Sequence, residues 1–196
     1  MAGDSPGAGT AKKDDRNGTV TYNGVPIDSD HIAFLLDKSS MMQAVLEKKG
    51  VSKDQAARDE LHRVLGLLDD KITFNVFNYH TEVEAMEKRP VRLSAHTRSK
   101  AFDFAAARCN GRAKDIWQVL EMVVADPTLD TVYLLSSGEP DVGLYVHWNR
   151  VTRYLADLNR FHKVVVHAVA YSDSQWYREQ LQKIAEVTGG HFEWQQ

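Results

Sequence analysis

Four short apolar runs set the terms on which this chain can fold. His31-Ile-Ala-Phe-Leu-Leu36 ends in Asp37 and has the composition of a strand buried on both faces. Ile72 to Tyr79, Thr131 to Leu135 and Val164 to Tyr171 repeat the theme. Between them lie amphipathic stretches. Ala57, Leu61, Val64, Leu65 and Leu68 recur at spacings of three and four, behind a capping-box pair, Ser52 and Gln55. Further helices are predicted around Arg98 to Ala107, from Asp115 to a stop before Pro127, through Val151, Tyr154, Leu155 and Leu158, and through Tyr177, Leu181, Ile184 and Ala185, closed by Gly189-Gly190. His191 to Trp194 reads as a final short strand. Val83 to Leu93, broken by Pro90, reads as an irregular edge strand or hairpin. Strands alternating with helices predict a doubly wound α/β fold: a mostly parallel central sheet of about six strands with helices on both faces.

The 196 residues suit one domain. Residues 1–18, rich in Gly, Ala, Asp and Lys and without apolar periodicity, read as a flexible leader or linker, and 19–196 as the domain. A net charge of −3 lacks the basic excess of a nucleic-acid or acidic-membrane binder. No apolar stretch reaches the ~18 residues of a membrane span, and no signal-peptide core stands at the start. The single Cys109 excludes an intrachain disulfide, is compatible with the cytoplasm, and reads as a small residue near a helix end. The eight histidines are scattered, with no zinc-ligand spacing.

In a doubly wound sheet, ligands bind at the carboxyl ends of the strands where strand order reverses. Two polar loops leave such ends: Asp37-Lys38-Ser39-Ser40 and Ser136-Ser137-Gly138-Glu139. With a third segment, Gly111-Arg112-Ala113-Lys114-Asp115-Ile116, they resemble the three signature elements of the von Willebrand factor A (vWA) family. Those elements are Asp-x-Ser-x-Ser after an apolar strand, Gly-Gly-Thr at a helix start, and a strand ending in Asp-Gly. The resemblance runs from about Val20 to Trp194. It implies a metal-ion-dependent adhesion site, where a divalent cation, usually magnesium, binds an acidic group of a protein ligand.

This sequence keeps Asp37 and Ser39 of that pattern. It has Met41 for the second Ser, Lys114 for the Thr and Ser137 for the second Asp. A thioether is a poor magnesium ligand and an ammonium is none. One carboxylate has gone and one cation has arrived, so the charges predict that Lys114 replaces the ion and pairs with Asp37. The alternative is that Lys114 points into solvent beside an unused polar cleft. Neither a metal nor a cofactor is expected.

The function expected from the resemblance is a non-enzymatic protein-interaction module, with no catalytic residues. Its binding surface is expected at the degenerate site, Asp37, Ser39, Met41, Lys114 and Ser137, with Glu139, Tyr145 and Trp148 beside it. For the apolar Leu144 to Trp148 connection, core packing is the favoured reading and an exposed binding patch the competing one. Two other functions stay open. One is a structural domain of a longer chain. The other is a hydrolase-type enzyme, which would need a Gly-x-Ser-x-Gly elbow and a matching histidine that this sequence lacks.

Overall fold

A computed structural model describes residues 19–196. The leader expected over residues 1–18 lies outside the described residues. The chain opens with a hairpin, β1 (Thr21–Tyr22) against β2 (Val25–Pro26). Its Asn23-Gly24 turn has φ of 53° and 91°, and a type I′ turn needs both positive. The central strand β3 (His31–Asp37) follows, then a second small hairpin, β4 (Val45–Leu46) with β5 (Val51–Ser52), and helix α1 (Lys53–Leu67). Next come β6 (Thr73–Tyr79), two edge pieces β7 (Val83–Ala85) and β8 (Val91–Arg92), and helices α2 (Ala95–Ala105) and α3 (Ile116–Val124). The last third alternates β9 (Thr131–Ser136), α4 (Trp148–His162), β10 (Val165–Ala170), α5 (Gln175–Thr188) and β11 (Phe192–Trp194).

The main sheet runs β11-β10-β9-β3-β6-β7, with β8 also on β6. Every pairing is parallel except those of β7 and β8, which run antiparallel to β6. The irregular edge is therefore two short strands on one neighbour, with Pro90 in the connection, where no ladder donor is required.

Strand side chains alternate between two cores. Ile32, Phe34 and Leu36 of β3 and Tyr133 of β9 pack under α1 and α2, while Ala33, Val132 and Leu134 face α3, α4 and α5. This two-sided burial explains why β3 is apolar throughout. The helix ends refine the sequence reading. Ser52 accepts a hydrogen bond from Gln55 N at 3.1 Å, but the Gln55 side chain turns to Asp59 and Arg58, so only half of that capping box forms. The reciprocal box is Ser94 with Thr97, and it starts α2 at Ala95 rather than near Arg98. α3 stops at Val124, before Pro127, as expected.

Candidate binding site

From β3 the sheet grows in two directions: to β6 and its edge on one side, and to β9, β10 and β11 on the other. The reversal lies between β3 and β9, so the loops leaving these two strands diverge over a crevice. Leu35 pairs with Leu134, which brings Asp37, the last residue of β3, level with the end of β9 and next to Ser137.

Asp37 is only 1% exposed, and its carboxylate is filled from within. Oδ1 accepts the Ser39 N–H at 2.8 Å. Oδ2 accepts the Ser137 N–H at 2.9 Å and the Ser137 hydroxyl at 2.6 Å. The Ser39 hydroxyl lies 3.3 Å from Ser137 Oγ. Because Ser137 gives its own proton to Asp37, Ser39 is the donor between the two hydroxyls. Tyr79, opposite Asp37 on β6, donates its buried hydroxyl to the Leu135 carbonyl at 2.7 Å. Burial, and next the Asp37 charge, hold this phenol well above its ordinary pKa.

The third segment docks on the first. Ser40 N donates to the Gly111 carbonyl at 2.8 Å and Gly111 N to the Lys38 carbonyl at 3.2 Å. Position 111 must be glycine here, because a Cβ would fall 2.3 Å from His80 Cβ. Three residues on, Lys114 is 1% exposed, and its Nζ sits 3.1 Å from Asp141 Oδ2 and 3.6 Å from Met41 Sδ. A Cβ on Gly138 would lie 3.4 Å from Met41 Sδ and 3.7 Å from Lys114 Nζ, so the ammonium rests against the loop that follows Ser137. The five positions Asp37, Ser39, Met41, Lys114 and Ser137 thus converge at one end of the sheet.

One expectation is corrected. Lys114 does not pair with Asp37; its carboxylate partner is Asp141. The cause is geometric. Three donors already occupy Asp37, while the Asp141 N–H bonds the Lys114 carbonyl at 3.0 Å and thereby brings the Asp141 carboxylate to Nζ. The expected surface is also redrawn. Trp148 is 2% exposed and opens α4 on the stripe of Val151 and Leu155, inside the core. Tyr145 is half-buried, stacked on Tyr154 at 4.3 Å and edge-on to Trp117 at 4.9 Å. Glu139 is exposed, and the apolar groups that face solvent in this connection are Leu144, 68% exposed, and Val146.

One ion-pair cluster near the site escaped the sequence reading. Lys38 is buried and reaches Asp54 Oδ1 and the Ala105 carbonyl, each at 2.6 Å, while Arg58 Nε holds the other Asp54 oxygen at 2.9 Å. No local signal marked it, because Lys38 follows the strand in a polar loop where an exposed lysine is the ordinary reading. Cys109 lies against the same cluster. Burial pushes its thiol up to about 12 against the opposing pull of Lys38, so it is no thiolate near neutral pH.

Neither a family model nor a curated protein matches this sequence. Solved structures do match. A von Willebrand factor type A protein from Catenulispora acidiphila superposes with a TM-score of 0.67 at 14% identity, over 88% of this chain and 40% of that one. Proximal thread matrix protein 1 from the mussel byssus gives 0.60 at 16% identity, over 83% and 42%. An aerotolerance-related membrane protein from Bacteroides fragilis gives 0.60 at 12% identity, over 84% and 90%. The chain therefore has the vWA fold, a doubly wound α/β sheet, and it spans less than half the length of the first two of these proteins.

Proposed function

We propose that this chain is a non-enzymatic protein-interaction module of vWA type whose ligand end works without a divalent cation. The observation that carries the reading is the buried Lys114 ammonium, held by Asp141 and Met41 at the mouth of a site whose one retained carboxylate is already satisfied by Ser39 and Ser137. Magnesium asks for about six hard oxygens in octahedral array. The residues present do not fit it. Both Asp37 oxygens already accept internal donors, Met41 brings sulfur, and Ser137 brings a neutral hydroxyl. A dication within ~4 Å of the ammonium would meet several kcal/mol of repulsion at an effective dielectric near 20. Lys114 thus supplies a cation at the position of the family's threonine, balanced by Asp141 rather than by Asp37.

Chemistry argues for binding over catalysis. The two serine hydroxyls bond each other and an enclosed Asp37 carboxylate that already holds three donors, and among the described residues no histidine hydrogen-bonds to either serine. The partner is a protein that covers the loops bearing Ser39, Lys114 and Ser137 together with the exposed Met41, Glu139 and Leu144. A second reading, a structural domain within a longer chain, draws support from the Catenulispora and mussel proteins, each roughly twice this length.

Proteome capture on the immobilised chain, run once in EDTA and once in magnesium, tests the proposal. The same proteins should return in both, and Leu144→Asp should lose them with the thermal melt unchanged. Capture that needs magnesium and is abolished by Asp37→Ala would overturn the metal-free reading. Equal capture by wild type and Leu144→Asp would remove the surface.

A further inference from the structure

The inner face of α4 is fully used, with Trp148, Val151, Leu155 and Asn159 buried against the sheet. Its outer face is unusual for a helix that has already met its core. Phe161, in the last turn, is 85% exposed, and Tyr154, two turns earlier, is 38% exposed. A spacing of seven puts both rings on one stripe. The Tyr154 ring is fixed by its stack on Tyr145 and by Trp117, edge-on at 6.3 Å, and Leu144 and Val146 extend the apolar surface beyond it. Single exposed apolar residues are ordinary, but a strip of them is not.

Charge singles out the same face. Arg150, Arg153, Arg160 and Lys163 are all exposed along it, in a chain whose net charge is −3. Asp157 is the sole acidic residue of α4 and lies 3.5 Å from Arg160. Arg153 leans on the Tyr154 ring at 6.0 Å, and among the described residues no carboxylate reaches Arg150, Arg153 or Lys163 as an ion pair. We infer that the outer face of α4 is a second docking surface, for an acidic protein segment that seats an aromatic or leucine side chain between Tyr154 and Phe161. Arginine beside immobilised aromatic rings is the composition of protein–protein hot spots. The unpaired guanidinium groups select carboxylates, and they bind them as a fork. A nucleic acid fits less well, because Asp157 sits within the strip and the chain as a whole is anionic. A lipid surface offers no carboxylate partner chemistry that would call for the fixed Tyr154 ring between the arginines. This surface runs along the flank of the domain and stands independently of the metal question at Asp37.

The test is selection of random peptides displayed on phage against the full chain, counter-screened on Phe161→Ser combined with Arg160→Glu. Both side chains are exposed, and circular dichroism checks that the variant stays folded. Peptides lost from the variant should carry acidic residues on both sides of an aromatic or leucine, and should bind wild type about tenfold tighter, less so as salt rises. Arg153→Glu with Arg160→Glu, Phe161 intact, should abolish the salt-dependent part alone. The inference fails if no peptide distinguishes wild type from variant, or if the discriminated peptides are neutral or basic. It fails equally if oligo-dT or phosphatidylserine vesicles bind this face in preference to the peptides, or if light scattering finds a Phe161-dependent dimer that blocks it.

Discussion

Lys114 and Asp141 hold each other twice, through the 3.1 Å ion pair of their side chains and through the Asp141 N–H on the Lys114 carbonyl at 3.0 Å. Only one partner is buried: Lys114 is almost wholly enclosed, whereas Asp141 keeps more than a third of its side chain in water. The two truncations should therefore differ. Asp141→Asn leaves the enclosed ammonium with only a neutral amide oxygen and a thioether and should cost about 1–3 kcal/mol, below the usual cost of splitting a buried pair because Asp141 is partly hydrated. Lys114→Met removes the charge with the stem and should cost less. Urea melts of both variants decide it. Equal losses, or a larger loss for Lys114→Met, would mean that the ammonium is not held by Asp141.

A ranking follows from the Asp37 network. Asp37→Ala strands two buried N–H groups and a hydroxyl, an expected loss of about 3–5 kcal/mol. Ser137→Ala removes one charge-assisted hydrogen bond and should cost about 1.5–3 kcal/mol. Ser39→Ala should cost least, since Ser39 meets Asp37 through its backbone and its hydroxyl makes only the 3.3 Å contact to Ser137. Melting temperatures should fall in that order, by roughly 2–4 °C per kcal/mol for a chain of this length. Ser39→Ala proving as damaging as Ser137→Ala would contradict the hydrogen-bond assignment.

The strands were legible because burial on both faces writes itself into a strand as an uninterrupted apolar run, and the meeting of Asp37 with Ser137 was what the vWA resemblance implied. The partner of Lys114 was not legible. Asp141 lies 27 positions away in a loop where any acidic residue looks alike, and only the backbone turn over the Lys114 carbonyl aims it. Trp148 carried two readings, because it ends an apolar connection and also fits α4 by spacing with Val151 and Leu155, and its burial decides for the core. The β4–β5 hairpin has two residues a strand, too few for any period to register.

If the substitutions at 41, 114 and 137 are what separate this site from a magnesium site, restoring them should restore the ion. Met41→Ser, Lys114→Thr and Ser137→Asp together place a second carboxylate beside Asp37 and remove the ammonium. Without metal the triple variant should be less stable than wild type, because two enclosed carboxylates repel. Magnesium at a hundredfold excess over Kd should return about 2.7 kcal/mol to the variant and nothing to wild type. Thermal melts across a magnesium titration give the answer, with EDTA as reversal. A variant that ignores magnesium would show that loop geometry, not ligand chemistry, closes this site.

A pH dependence arises away from the site. His167 of β10 is buried, stacked on Tyr133 at 4.9 Å and on His191 at 5.5 Å, and its Nδ1 accepts the His191 N–H at 2.9 Å. With Nδ1 accepting, the proton of the neutral ring sits on Nε2. Burial first, then the neighbouring His191, push its pKa down to about 4, against a weaker upward pull from Asp28. The unfolded chain titrates this histidine near 6.5. Between those two values the unfolded state binds a proton that the folded state refuses, so folding weakens as pH falls. The contribution is fully present above about pH 6.5, drains away through pH 5, and is gone below about pH 4. From pH 7 to 4.5 the expected loss is about 2–3 kcal/mol from this residue. Carboxylates add their own acid limb, but they do so equally in His167→Gln. Urea melts of the two proteins at both pH values isolate the histidine: whatever its starting stability, the variant should lose less. Parallel pH curves would mean that His167 is protonated in the fold or hydrated enough to titrate normally.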